Sequence, residues 1–512
     1  MATALAKHEK IKAFDWEPEP SLLHKEAKYP TKYKIPATTR DPFRVLVRDY
    51  VAMEEEKDGR QYGSLDVLTR VGNAEKGHPR WMEILKPILN LIQFGEYTAI
   101  KCTGMMVDTI NNPELRQGYA AQMNDEIRHA NVENYLCRYF AKNARNPAGF
   151  NSAMRTRAWD PIYLAARSTF EPILVDDPVA ASLHLQVFAE TAFTNPIFVA
   201  LTQIAALNGD HVTPTVGLSI QSDEGRHMAN GYATLVAVLS EPDNLETLQE
   251  DFDTSFWRQH HFIDSFTAAI YDYFSVNRLQ PYTQYWDQWV EQDFLGSYID
   301  GLKPFGLKEP RWADLARQEV PWKGHTAAML SAALWPIHAW STDYMVEDDF
   351  EFLSAHYPEW EQTYGGFWTA YREMADPRNG TLALSMFEAV PPFCRVCQLP
   401  CALPAPHLAK PRFVIDADGR RHALCSEPCE YIFLKEPHRY PGHNWLEVFD
   451  GWDLADYLVS AGLVRSDGKT LVAQPHTHIE PEWLWTVDHI RDCGIEIKDP
   501  LKDMPAEAFR QI

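Results

Sequence analysis

No stretch of about 18 uninterrupted apolar residues occurs in the 512-residue chain, which excludes a transmembrane helix read from sequence. Positive charge is scarce as well: 48 Lys and Arg stand against 71 Asp and Glu, a net charge of −23. That balance argues against nucleic acid or an anionic membrane surface as a partner and is consistent with docking of basic proteins. Cysteine is sparse, eight in all, and Met1 to Pro20 mixes Lys, His and Glu without an apolar core, so no signal peptide is visible. Few cysteines without an export signal do not form a secreted disulfide scaffold, and the expected compartment is a reducing cytoplasm. Gly468-Lys469-Thr470 looks like the end of a phosphate loop, but Leu463 stands where that loop needs glycine. No flavin, nicotinamide or ferredoxin motif is present.

What is there is a five-residue pattern that occurs twice, Asp125-Glu126-Ile127-Arg128-His129 and Asp223-Glu224-Gly225-Arg226-His227. A third Glu-x-x-His, Glu75 to His78, lies in a Gly/Pro loop and lacks the flanking Asp and Arg. Upstream of each copy an apolar helical run carries one further acid, Glu96 and Glu190. Residues three apart on a helix share a face, so each Glu-x-x-His offers a carboxylate and an imidazole to one point. Two such helices, with one Glu from each of two more, build a metal site in a bundle core. Carboxylates with imidazoles suit iron or manganese better than zinc, and four carboxylates balance two divalent ions. Exposed, salt-bridged helix faces are the plain alternative.

The order and spacing of Glu96, Glu126/His129, Glu190 and Glu224/His227, with Glu190-Thr191-Ala192-Phe193-Thr194-Asn195 and Arg226-His227-Met228-Ala229-Asn230-Gly231-Tyr232, resemble the hydroxylase alpha subunit of bacterial multicomponent monooxygenases, in the methane, propane and alkene branch. The resemblance runs from about Pro30 to the Ser466-to-Thr470 region. It implies a carboxylate-bridged pair of irons that uses dioxygen and electrons to epoxidise small alkenes or hydroxylate small alkanes. It also implies an NADH-dependent reductase carrying flavin and iron–sulfur centres, a beta subunit with or without a gamma subunit, and a small regulatory protein.

The expected fold is mainly α: a ferritin-like di-iron bundle over 61–300 after an N-terminal arm (1–60), a helical extension (301–390) and a small Cys-rich α+β region (391–512). The arm is charged and Pro-punctuated; in the family it packs on a partner subunit, and a partly disordered tail is the alternative. Apolar spacing predicts a helix from about Arg80 to Asn111 carrying Glu96. Asn112, Pro113 and Glu114 open a second helix, Asp177-Pro178 a third, and a fourth begins near Pro214. Pro196 inside the third run predicts a distortion near Thr194 and Asn195. Breaks are expected at Pro304, Pro336 and Pro377.

Asp125 and Asp223 are placed to accept the imidazole N–H groups across the bundle, with Arg128 and Arg226 as their partners. Ordinary surface charges are the alternative. Thr194, four residues after Glu190, resembles the family's active-site threonine and is a candidate proton relay. Ile92, Phe188, Phe193 and Ile220 are candidates for an apolar substrate pocket, or else core. Glu133 stands where the methane branch carries a cysteine; it is the next relay candidate, predicts a more polar pocket and turns the expected substrate from methane to an alkene or longer alkane. In the last third, 27 residues separate Cys394-x-x-Cys397 from Cys425-x-x-x-Cys429, with β-prone Arg412 to Ile415 and a turn at Asp416 to Gly419 between them. Such spacing fits a structural zinc knuckle, and reduced buried thiols fit equally. His260-His261 and His476-x-His478 read as surface or packing histidines. A ribonucleotide reductase-like radical subunit, with Tyr97 beside Glu96, and a ferritin-like storage protein are the competing functions.

Overall fold

The computed structural model describes residues 19–23, 30–39, 76–143, 165–170, 177–334, 345–375, 390–402, 410–440 and 451–452. Four helical runs form its centre. The first, α1 (Pro79–Thr109), opens with the His78 side chain accepting from Arg80 N and with proline in its first turn. The second, α2 (Pro113–Asn143), starts where Asn112 Oδ1 accepts from Leu115 N at 2.9 Å. In the third, Asp177 Oδ1 accepts from Val179 N and Ala180 N at 3.0 and 3.1 Å to launch α3 (Pro178–Leu183). The chain then passes through a π-helical segment, His184–Thr194, into α4 (Asn195–Leu207). The fourth run, α5 (Val212–Leu239), begins two residues before the expected Pro214, because Asp210 Oδ1 already accepts from Val212 N and Thr213 N. α1 packs on α2, α4 on α5, α2 on α5, and the π segment lies against α5.

The distortion expected at Thr194 is longer than one proline can produce. It covers eleven residues and encloses Glu190. A π turn bonds i to i+5, and the hydroxyls of Thr191 and Thr194 reach the carbonyls of Gln186 and Ala189, five residues back, at 2.7 and 2.9 Å. Pro196 removes one backbone donor; the rest of the widening has no account in the local sequence.

Beyond the bundle, α6 (Leu245–Gln259) runs on through the π segment His260–Asp264 into α7 (Ser265–Ala269). Next come α8 (Tyr282–Trp286), α9 (Ala313–Leu334), α10 (Glu347–His356) and α11 (Gly366–Ala375). Their aromatic side chains join one hydrophobic core that takes in residues from Leu22 to Phe393. The expected break at Pro304 is a short turn closed by Gly306 at φ 93°; Pro336 and Pro377 lie outside the described residues, as do Ser466 to Thr470, His476 and His478. Among the described residues, no helix is long and apolar enough to cross a membrane.

The described part of the N-terminal arm is bound to its own chain. Strand β1 (Glu19–Pro20) pairs with β2 (Thr38–Thr39), Leu22 and Leu23 are buried, and the Leu22 carbonyl accepts from Asn111 N and Asn112 N at the α1–α2 corner. At the other end, β3 (Arg412–Ile415) and β4 (Arg421–Leu424) form the expected hairpin, followed by α12 (Glu427–Lys435). The hairpin turn closes on Gly419 at φ 79°, a conformation that suits glycine. This module has its own small core of cysteines, Phe433 and Tyr440, which docks on Trp257 of α6 and on Trp312 beside the start of α9.

Candidate metal centre

All six candidate ligands are buried where the four runs meet, and their atoms fall into two overlapping groups. Ligand atoms of Glu96, Glu126, His129 and Glu224 lie within 4.8 Å of one another, as do those of Glu126, Glu190 and His227; Glu126 belongs to both. Each imidazole turns Nδ1 inward. His129 Nδ1 lies 3.3 Å from Glu96, 3.4 Å from Glu126 and 3.6 Å from Glu224, yet makes no hydrogen bond. His227 Nδ1 lies 3.3 Å from Glu126 and 3.7 Å from Glu224.

The outer nitrogens are held crosswise. His129 Nε2 meets Asp223 Oδ2 at 3.0 Å and His227 Nε2 meets Asp125 Oδ2 at 3.3 Å, so each helix pair orients the other's imidazole. Arg128 bridges Asp125 and Asp223, and Arg226 pairs with Asp223. Burial pushes Asp125 up, but the His227 hydrogen bond and Arg128 outweigh it and hold the carboxyl below its ordinary range.

Electrostatics of the donor set call for cations. Burial pushes Glu96 up to about 8, only partly opposed by His129. Burial, then the Glu224 charge, drives Glu190 well above the usual carboxylate range, and burial raises Glu224 too. Glu126 is held below its ordinary value, because His227 and His129 outweigh the burial that would raise it. Both imidazoles are raised despite burial, by Glu96 for His129 and Glu126 for His227. Four carboxylates thus compete for two imidazoles; two divalent cations between them would balance the charge. The inward Nδ1 atoms, the shared Glu126 and the acid-rich donor set fit a two-metal site of iron or manganese type.

An apolar cavity of about 100 Å³ opens on these carboxylates, lined by Ile92, Phe94, Phe170, Leu185, Phe198, Phe262 and Ile263 together with Glu96, Glu126, Glu190, Glu224 and Thr194. Of the four pocket candidates, Ile92 lines it. Phe188 instead packs on Phe252 and Phe294, with ring centroids 4.7 and 5.6 Å away, Phe193 on Phe256 at 6.0 Å, and Ile220 is core. Phe188 and Phe193 lie in the π segment, whose wider turn sets them off the face an α-helix would give them, whereas Ile220 lies in α5. Thr194 sits on the cavity wall with its hydroxyl donated to Ala189 O. Glu133 is buried and raised well above the carboxylate range by burial and then by Glu96, but it does not line the cavity, so the polar wall expected of it is not formed. Tyr97, half-buried, accepts from Asn134 at 3.4 Å.

Sequence reasoning missed the amides under the site. Gln122 Nε2 donates to Glu126 Oε1 and Glu190 Oε1 at 3.1 and 3.2 Å, while its Oε1 accepts from Gln186 Nε2 at 2.6 Å and Asn230 Nδ2 at 3.0 Å. The Tyr119 hydroxyl joins Gln186, Ser182 and Thr234 to the same network. A signal existed: Gln122 and Gln186 each stand four residues before a candidate ligand, Glu126 and Glu190. Of the surface and packing alternatives for His260 and His261, burial leaves packing, but with polar partners that the sequence did not show: His260 Nδ1 lies 2.6 Å from Asp264 Oδ2, and His261 contacts Lys323 and Cys425. Away from the carboxylates, the sulfurs of Cys394, Cys397, Cys425 and Cys429 all lie within 4.8 Å of one another, fully buried; Cys401 is buried outside that group.

Residues 16–242 match the Methane/Phenol/Alkene Hydroxylase family model. The chain is 37% identical over 505 residues to the methane monooxygenase component A alpha chain of Methylococcus capsulatus, covering 97% of this chain and 94% of that one. It is 34% identical to the propane 2-monooxygenase hydroxylase component large subunit of Mycolicibacterium smegmatis, covering 94% and 92%. Among solved structures, phenol hydroxylase from Pseudomonas sp. OX1 shares the fold with a TM-score of 0.70 at 24% identity, over 84% of this chain and 88% of that one.

Proposed function

Because the chain belongs to the methane, phenol and alkene hydroxylase family, as the large subunit of a multicomponent monooxygenase, we propose that Glu96, Glu126, His129, Glu190, Glu224 and His227 hold two irons beside the cavity and that the substrate is a small alkene or alkane. The observation that carries this reading is the pair of ligand groups sharing Glu126 at the mouth of an apolar cavity. Bound iron supplies the reduction of dioxygen and the transfer of one oxygen atom to the hydrocarbon, the other leaving as water. The protein's part is positional. Asp223 and Asp125 accept from Nε2 of His129 and His227, which fixes the tautomer that leaves each Nδ1 free to ligate. Thr194 Oγ1, on the cavity wall, both donates and accepts, and so can pass a proton without adding charge; Glu133 is the next group able to hold one. The Ile and Phe wall keeps water away from a strong oxidant.

Cavity size bears on the substrate. An apolar cavity of about 150 Å³ accommodates benzene, so about 100 Å³ favours a hydrocarbon of a few carbons over a phenol. Electrons come from NADH through a separate reductase, and a beta subunit and a regulatory protein complete the enzyme; relatives named as a component A alpha chain and as a hydroxylase component large subunit support an assembly of that kind. The four clustered cysteines are proposed to hold a structural zinc, since four buried sulfurs at this spacing suit tetrahedral thiolate ligation.

The test is product analysis of the complete system supplied with propene, propane, methane and phenol. Propene oxide and propanol are the expected products. Preferential conversion of phenol would overturn the small-hydrocarbon reading, and a stable tyrosyl radical without oxygenated product would overturn the monooxygenase one.

A further inference from the structure

The cysteine module and the cavity wall are joined by a buried polar chain. His261, in the π segment His260–Asp264, is fully buried; its Nε2 lies 3.3 Å from Cys425 Sγ and its Nδ1 2.7 Å from Lys323 Nζ. Lys323 is equally buried, with Nζ 3.0 Å from Glu319 Oε2 and 5.5 Å from the centre of the Trp257 ring, which in turn stacks on His261 at 5.4 Å. Lys323 reaches so far because its neighbour is Gly324: a Cβ there would meet the Ala268 Cβ at 2.6 Å and its carbonyl carbon at 2.9 Å, so any side chain would push α9 away from α7.

Hydrogen-bond direction along this chain is fixed. An ammonium has three donors and no acceptor, so the Lys323–His261 bond makes Nδ1 an acceptor; the ring proton of the neutral imidazole then sits on Nε2 and is aimed at Cys425 Sγ. A thiolate ligand profits from such a donor, because its orientation and charge are set by the groups around it. The residues next to His261, Phe262 and Ile263, line the substrate cavity.

We propose that His261 is a positioning residue for the four-cysteine zinc site, donating Nε2–H to Cys425 with its tautomer set by Lys323, so that the zinc module braces the π segment forming one wall of the cavity. This rests on the zinc reading above. Three parts of the chain make the link together: α6 continues into His261, α9 supplies Lys323, and the residue after β4 is Cys425.

The experiment measures zinc and iron per chain in the complete hydroxylase, then the rate at which zinc passes to a chromophoric chelator. Wild type is expected to hold one zinc. His261→Leu should release it about 10- to 100-fold faster with iron unchanged, and His261→Gln, which keeps an amide donor near the Nε2 position, should stay within a few-fold of wild type. With cobalt in the cysteine site, the thiolate charge-transfer bands should shift in His261→Leu and not in His261→Gln. Zinc release from His261→Leu at the wild-type rate overturns the proposal, as does His261→Gln releasing as fast as His261→Leu. Should His261→Leu fail to fold, the double variant Glu319→Gln/Lys323→Met decides, since it removes both charges of the pair together: unchanged release overturns the tautomer argument. A wild-type protein without zinc, before and after incubation with the metal, sinks the zinc reading itself, an outcome separate from the others.

Discussion

Gln122 shows how one amide can govern two ligands. Its Nε2 ties Glu126 to Glu190, and its Oε1 takes the protons of Gln186 and Asn230. Gln122→Leu leaves two buried donors without their acceptor, a cost of about 1–3 kcal/mol, and lets both carboxylates drift. The expected result is a lower Tm together with substoichiometric iron; full iron at unchanged Tm would show the amide to be dispensable. Thr194 tests a different property. Thr194→Ser keeps the hydroxyl and should stay near wild-type activity, whereas Thr194→Val should keep its iron yet slow epoxide formation by roughly 10²-fold. Wild-type turnover by the valine variant would reduce the hydroxyl to packing and direct attention to Glu133. Asp125 and Asp223 look equivalent in sequence but are not: Asp223 carries both Arg128 and Arg226. Asp223→Asn should therefore lose more stability than Asp125→Asn, while each weakens iron retention.

At the scale of elements, the π segment His184–Thr194 governs the site. It places Glu190 and Thr194 on the cavity and turns Phe188 and Phe193 into the core. It lies close to α5 because Gly231 offers no side chain: a Cβ would meet the Cβ of Gln186 at 2.7 Å. Gly231→Ala must push the segment away, at a cost of about 1–3 kcal/mol for overpacking, and with it Gln186 and the amide network. Thermal unfolding and iron content should fall together; a variant with normal values for both would mean that the helices slide apart freely. The starts of α2 and α3 were readable from Asn112-Pro113 and Asp177-Pro178 because capping is local; the His78 cap of α1 was not. Eleven residues of π turn were not, since they depend on what α5 and α6 present to them.

Over the whole molecule, the C-terminal module is fastened to α6 by Glu436, which pairs with Arg258 at 2.5 Å and with Arg439 at 3.0 Å. Burial raises the Glu436 carboxyl, but Arg258 and Arg439 more than offset it and bring it to about 2, from an ordinary 4.5. A carboxyl with a depressed folded-state pKa contributes stability that is fully present above 4.5 and is lost as pH falls towards 2. The stability difference between wild type and Glu436→Gln should accordingly shrink across that window; a difference independent of pH from 6 to 2 would refute the ion-pair account. The cysteines give a second test at this scale: Cys397→Ser should release zinc and loosen the C-terminal region while leaving the di-iron spectrum intact. Unchanged metal content and stability would favour plain thiols.

The sequence by itself determined the helical class, the six buried acids and histidines, the crosswise aspartates and the four-cysteine spacing. The bundle site follows from short-range rules, since residues three apart share a helical face and matched copies converge on one centre; the cysteine reading follows from the spacing of two Cys pairs around a hairpin. The tertiary structure alone decided which aromatics line the cavity, that Glu133 stands off it, that Gln122 sits beneath two ligands, and that His261 reaches a cysteine 164 residues away. Those outcomes depend on how far each helix is rotated and how closely it approaches its neighbours. Local hydrogen bonds fix neither quantity; the close packing of Gly231 on the π segment and of Gly324 on α7 sets both.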